Sequence, residues 1–211
     1  MNAHDHAAGG DVKVVILGGG FGGVAAALAF EKLLPRRGVK VTMVSRENFI
    51  TFTPMLHEVA ASDLDMTHIV NPVRKLLRKV DFLHAEVCGV DLAKKEVLFA
   101  HGGDAHTHTL PYDHLVVALG STTNFFGIPG LAERALTMRT LGDAIDLRNR
   151  LIEHLEEADT ECAAGMRSPL LTVVVAGGGF AGVETIAAVN DFVRESLRFY
   201  PHVPESAVRL V

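Results

Sequence analysis

Two stretches of this chain repeat one another: KVVILGGGFGGVAAALAF from Lys13 to Phe30, and LTVVVAGGGFAGVETIAA from Leu171 to Ala188. Each sets an apolar, β-branched run before glycines at the spacing GxGxxG and continues into an alanine-rich pattern that predicts a helix. In such a turn the first glycine allows the tight bend, the second lets a diphosphate approach the backbone, and the third lets helix and strand pack closely. The triplets are Gly18, Gly20, Gly23 and Gly177, Gly179, Gly182, with Phe21 and Gly22 inside the first turn. A diphosphate there meets unpaired amides and about half a unit of positive helix-dipole charge. One GxGxxG among 20 glycines carries little weight. Two, each in a strand–turn–helix setting, predict an α/β chain of tandem Rossmann-like, doubly wound folds. Two dinucleotide pockets suit a redox enzyme that passes electrons between two dinucleotides.

The rest of the chain reads around that repeat. Val12–Leu17 and Val39–Ser45 are strands joined by a helix from about Gly20 to Leu34, stopped by Pro35. An irregular stretch with Pro54 follows, then an expected amphipathic helix from Pro72 to Val80. Asp81 to His114 reads as an antiparallel meander turning at HGGDAH, and His114 to Gly120 as another buried strand. Leu141 to Glu157 is helical by spacing, and Ala163 to Pro169 is the best linker. The expected domains are a flexible tail, 1–11; a first dinucleotide domain with a meander insert, 12–165; and the start of a second, 168–211.

Composition narrows the class. A formal charge of −5 and the lack of clustered Lys, Arg and aromatics argue against nucleic acid as a partner. Cys88 and Cys162 stand far apart, outside any CxxC or CxxxxC spacing, as in a protein of a reducing compartment. The first dozen residues lack the pattern of a signal peptide. Val14 to Phe30 is uncharged, but its five glycines and its length, short of the roughly 20 residues a bilayer needs, mark a buried strand and helix. His101, His106 and His108 lie in or near a turn, and His4 and His6 in the tail. A metal site needs three or four converging ligands, so these read as solvated histidines and no metal is expected.

One feature of the first fold departs from the dinucleotide pattern. The acidic residue that binds a ribose hydroxyl is expected about 20 residues past the last glycine. Here the strand end reads Ser45, Arg46, Glu47. Ser45 can hydrogen-bond a hydroxyl, more weakly than a carboxylate would, and a Ser-Arg pair also suits a 2′-phosphate.

Three landmarks, VVILGGGFGG, YDHLVVALGSTTNFFGIPG from Tyr112 to Gly130, and VVVAGGGFAGVE from Val173 to Glu184, resemble the two-dinucleotide-binding flavoproteins, and most closely the type II NADH:quinone dehydrogenases. The resemblance covers nearly the whole chain from Val12, and FTPMLHEVAA, Phe52 to Ala61, is similar to the family's flavin-side loop. It implies FAD on the first fold, with Gly18, Gly20, Phe21, Gly22 and Gly23 at the diphosphate and Ser45 and Arg46 near the adenosine. Val87 would meet adenine, Ala118 and Gly120 would end the strand closing over the FAD, and Thr53 and Pro54 would lie on the flavin side. NADH, or NADPH, would sit at Gly177, Gly179 and Gly182, with Glu184 as the catalytic residue near the nicotinamide and flavin rings. Hydride would pass from NADH to FAD and electrons on to a quinone or another small acceptor. Sulfide:quinone relatives use separate cysteines, which leaves Cys162 open to that reading, although those relatives do not bind NADH.

The second fold restarts a doubly wound pattern, yet only a strand, a helix and a final SAVRLV, ending at Val211, follow its start. Some 44 residues, Ser168 to Val211, cannot build a core alone when about 40 residues is the limit without staples. The expectation is the N-terminal half of a longer enzyme with an incomplete second domain, inactive by itself; a non-catalytic nucleotide-binding remnant is the alternative. The resemblance further implies a cytoplasmic protein, peripheral on the membrane through residues beyond this chain, and a homodimer.

Overall fold

The computed structural model describes residues 11–33, 38–102 and 106–211. In chain order the elements begin with β1 (Val12–Leu17), α1 (Phe21–Leu33), β2 (Val39–Ser45), β3 (Phe49–Thr51), α2 (Leu56–Ala60), β4 (Val70–Pro72) and α3 (Val73–Leu76). Next come β5 (Asp81–His84), β6 (Glu86–Asp91), β7 (Glu96–Ala100), β8 (Thr107–Pro111) and β9 (His114–Val117). The last are α4 (Leu131–Arg134), α5 (Leu141–Thr160), α6 (Ala164–Leu170), β10 (Thr172–Val173), α7 (Phe180–Ser196) and β11 (Arg209–Leu210). Packing divides the chain into two units: the described residues up to Ile50 with Asn71–Thr122, and Thr51–Val70 with Thr123–Val211. This division falls elsewhere than the motif-based one at 165/168, because 51–70 and 123–165 pack with the second glycine motif.

In the first unit β1, β2, β5 and β9 form a parallel sheet in the order β5-β2-β1-β9. Successive side chains of a strand point to opposite faces, and both faces of β1 are covered. Val14 and Ile16 pack with Val24 and Ala27 of α1, Val41 and Met43 of β2, and Val73, Leu77 and Val80. Val15 and Leu17 pack with Val44, Ala85, Val97, Phe99 and Tyr112 on the other side. That second layer is the antiparallel ladder β6-β7-β8, whose register shifts between Val87 and Gly89. The meander expected from Asp81 is therefore divided, since its first piece is β5, on the parallel sheet beside β2. The Ala85 N–H still donates to the Ser45 carbonyl at 3.0 Å before the chain leaves.

Two other expectations for this unit need correction. The helix expected over Pro72 to Val80 is a single turn, α3. The N–H groups of Arg78, Lys79 and Val80 donate instead to one oxygen of Glu31 in α1, at 2.7, 2.6 and 2.8 Å, and the Lys79 ammonium donates to the Glu31 carbonyl at 3.0 Å. A carboxylate anchored elsewhere has thus replaced the helix's own carbonyls. The strand expected to run buried from His114 to Gly120 stops at Val117. It is an edge of the described sheet, and Val117 is 66% exposed.

The second unit is built along α5. Its start carries a capping box: Asp143 N–H donates to Thr140 Oγ1 at 3.1 Å, and Asp143 Oδ2 accepts from the Thr140 and Arg139 N–H groups at 3.0 and 2.8 Å. Near that end Ala144 packs with Leu56, Val59 and Ala60 of α2 and with Ile69. Further along, Leu151, Leu155 and Ala158 pack with Val189 and Val193 of α7 and with Leu171, Val203 and Val208. The expected linker, Ala163 to Pro169, is largely the helix α6. The Ala163 carbonyl accepts from Met166 and Arg167, and the Arg167 guanidinium ties the turn down by donating to the carbonyls of Glu161 and His202. No helix among the described residues is long and apolar enough to cross a membrane.

Burial opposes the charge on Glu31, but the N–H groups of Val80, Lys79 and Arg78, with the Lys79 ammonium, outweigh it and hold the carboxyl below its ordinary range. A carboxyl held low in the folded state stabilises above the unfolded pKa, and that stability is lost as pH falls through the folded one. Glu31→Gln is expected to lower the thermal midpoint at neutral pH by about 2–4 °C, as for loss of about 1 kcal/mol in a chain of this size. Melting curves taken at falling pH check this, because the wild type should converge on the variant as its carboxyl protonates.

Candidate functional site

The first glycine turn lies at the carboxyl end of β1, beside the carboxyl ends of its parallel neighbours β2 and β9, and it is outside the carboxyl ends of the strands that open α/β sheets bind ligands. Gly18 takes φ +99°, a conformation that L side chains rarely adopt, and its N–H donates to the Val44 carbonyl at 2.8 Å. A Cβ there would collide with the carbonyl of Ala118, whose own N–H donates to Leu17 at 2.8 Å. A Cβ on Gly23 would collide with the Gly18 carbonyl. Nothing lies within 4 Å of the place a Cβ on Gly20 would take, and Gly20, Phe21 and Gly22 are exposed. The mouth of the turn at Gly20 is therefore open, as an anion cradle requires.

Of the expected first-site residues, the fold gathers Gly18, Gly20, Phe21, Gly22, Gly23, Ser45 and Ala118. Ser45, however, is only 6% exposed, with its Oγ 2.7 Å from where a Cβ on Gly19 would stand. The exposed groups at the end of β2 are Arg46 and Glu47, paired at 3.5 Å, and the Arg46 carbonyl lies 2.7 Å from His84 Nε2. Val87 is half-buried in β6 against the core, and Gly120 has φ +78° on the exposed loop after β9.

The second turn repeats the geometry. Gly177 has φ +136°, and a Cβ on Gly182 would collide with the Gly177 carbonyl as Gly23 would with Gly18. Gly179 caps α7, with the Val183 N–H donating to its carbonyl at 3.0 Å, and nothing stands within 4 Å of a Cβ placed on it. The strand before it differs from β1. Only Thr172 and Val173 form β10, paired with β11, and Val174 is 67% exposed. Thr53 and Pro54 lie in an exposed turn of this same unit, just before α2.

Glu184 stands in the second turn of α7 with its side chain 46% exposed. His57 of α2 is beside it, Nδ1 being 3.8 Å from Glu184 Oε2 and Nε2 3.2 Å from Glu58 Oε1. Nothing in the sequence pairs His57 with Glu184, because the two meet only when α2 packs on α7. The flanking carboxylates extend further. Burial, then Glu58, Glu195 and Asp191, push the Asp63 carboxyl above its ordinary range. Cys88 and Cys162 are exposed and free, one in each unit. His101 and His108 stack at 4.7 Å, and among the described residues no group of three or more potential ligands converges on a metal. His4 and His6 lie outside the described residues.

Two glycine cradles at the heads of helices, one on a four-stranded parallel sheet, define a protein of the dinucleotide-binding α/β class. The profile of the pyridine nucleotide-disulphide oxidoreductase family matches residues 12–203, and the chain belongs to that family. It is 34% identical over 203 residues to the type II NADH:quinone oxidoreductase Ndh of Mycobacterium tuberculosis, covering 94% of this chain and 42% of the relative. It is 36% identical over 193 residues to the external NADH-ubiquinone oxidoreductase 2 of Saccharomyces cerevisiae mitochondria, covering 88% of this chain and 35% of the relative. The structure of NDH2 from Plasmodium falciparum in complex with NADH superposes with a TM-score of 0.85 at 27% identity, over 95% of this chain and 41% of that one. The chain thus spans less than half the length of these relatives.

The glycine contacts separate folding from binding. Gly23→Ala forces a Cβ onto a backbone oxygen and is expected to destabilise by about 2 kcal/mol or more, whereas Gly20→Ala, with open space around it, should change stability by less than about 1 kcal/mol. Chemical denaturation of the two variants checks this, and equal losses would refute the assignment of Gly20 to the ligand side.

Proposed function

We propose that this chain carries the dinucleotide-handling elements of an FAD-dependent NADH:quinone oxidoreductase of type II. The observation that supports it most is the duplicated cradle: a helix head packed on the turn carbonyl through Gly23 or Gly182, with an open glycine, Gly20 or Gly179, at its mouth. The residues of the first unit fit FAD. Gly20, Phe21, Gly22 and Gly23 would present amides to its diphosphate, Gly18 and Ala118 hold the turn, and Arg46 and Glu47 are the exposed polar groups for the adenosine side. Buried Ser45 supports the turn from below Gly19. Val87 and Gly120 are assigned to the adenine and to the closing loop.

The second unit is assigned to NADH. Gly177, Gly179 and Gly182 would receive its diphosphate, Glu184 would face the nicotinamide, and Thr53 and Pro54 would border the flavin. When bound, the flavin supplies the hydride acceptor and the electron carrier. The chain's part is to bind each dinucleotide and to set the charge around it. A quinone is the proposed acceptor and a membrane surface the proposed place of work.

After reconstitution with FAD, the purified protein is expected to keep flavin through gel filtration and release it on denaturation. Anaerobic NADH should then bleach the flavin absorbance in a single half-reaction, without sustained turnover with a soluble quinone, and Glu184→Ala should slow this bleaching about tenfold, about 1.4 kcal/mol of barrier. A protein that retains no flavin at all would sink the proposal.

A further inference from the structure

We infer that His57 is a positioning residue for Glu184, holding its carboxylate toward the nicotinamide of the bound dinucleotide. This rests on the proposed role of Glu184. The ring of His57 stands between two carboxylates, with Nδ1 turned to Glu184 at 3.8 Å and Nε2 to Glu58 at 3.2 Å. Its side chain is 17% exposed, so packing limits where it can go. An imidazolium can donate from both nitrogens at once, and a neutral ring from one.

The surroundings make a ring between these carboxylates useful. Glu58, Asp63, Asp191 and Glu195 put negative charge on the α2 segment and on α7, and Asp63 already feels the other three. Glu184, on that same α7, would be repelled by Glu58 without the ring between them. A carboxylate repelled toward solvent cannot accept a hydrogen bond from the nicotinamide carboxamide in a fixed place. His57 thus keeps Glu184 in one rotamer and spares each bound dinucleotide the loss of that side chain's freedom.

The two ring nitrogens give the test its specificity. An Asn side chain at 57 places its N–H₂ near where Nδ1 stands, so His57→Asn keeps an N–H group on the Glu184 side; His57→Gln reaches instead toward the place of Nε2 and Glu58. The readout is the affinity of the FAD-loaded protein for a redox-inert reduced NADH analogue with a saturated nicotinamide ring, measured by titration calorimetry. Glu184→Ala and His57→Ala are each expected to weaken binding about fivefold, and the double variant no more than either alone. His57→Asn should return to within about twofold of wild type and His57→Gln should not. Additive losses in the double variant, or equal loss in the Asn and Gln variants, would overturn the inference. If Glu184→Ala itself leaves the affinity unchanged, the role of Glu184 fails first, and the inference about His57 fails with it. Unchanged affinity in His57→Ala alongside a weakened Glu184→Ala defeats the inference about His57 only.

Discussion

The contact on which the site depends is that of Gly23 with the carbonyl of Gly18, repeated by Gly182 and Gly177. Any side chain at the third glycine would lift the helix off the turn. With none, the helix starts directly above the strand end, and its positive dipole end lies over that spot. The first glycine makes the bend at positive φ and clears Ala118, which brings the next strand of the sheet to the same place.

That cradle is held to different degrees in the two units. In the first, β1 has a strand on each side and a packed layer on each face, so Val14 to Leu17 are almost wholly removed from water. At about 1.5–3 kcal/mol for each large apolar side chain buried, these residues anchor the turn that follows them. In the second, β10 is paired with β11, Val174 is exposed, and the hold on the turn comes chiefly from α7 against α5. The same local motif therefore sits on two unlike foundations.

Periodicity revealed the elements whose stability is local or whose burial is complete. Val12–Leu17 and Val39–Ser45 are apolar, β-branched runs, and they are strands at the expected bounds. Leu141 onward is helical as its spacing demands, with the Thr140–Asp143 capping box to start it. What misled was long-range chemistry. The helix from Pro72 was cut short by a carboxylate on Glu31, 47 residues upstream of the Arg78 N–H that it accepts from. Asp81–His84 joined a parallel neighbour rather than its own meander, and the linker coiled into α6 under the grip of Arg167. None of these leaves a signature within a window of a few residues.

The site divides in the same way. The glycine triplets and their helices are written plainly in the residues, because a tight turn, a close backbone approach and a helix start each restrict residue type at a fixed offset. Ser45 looks like a ligand residue by position but is buried beneath Gly19, and only packing reveals that. His57 has Glu58 beside it in sequence, yet its other carboxylate neighbour, Glu184, meets it only because α2 and α7 share apolar surfaces with α5. Backbone conformation was legible because it is a local property of the chain. The neighbours of each charge were not, since they are set by which faces the core brings together.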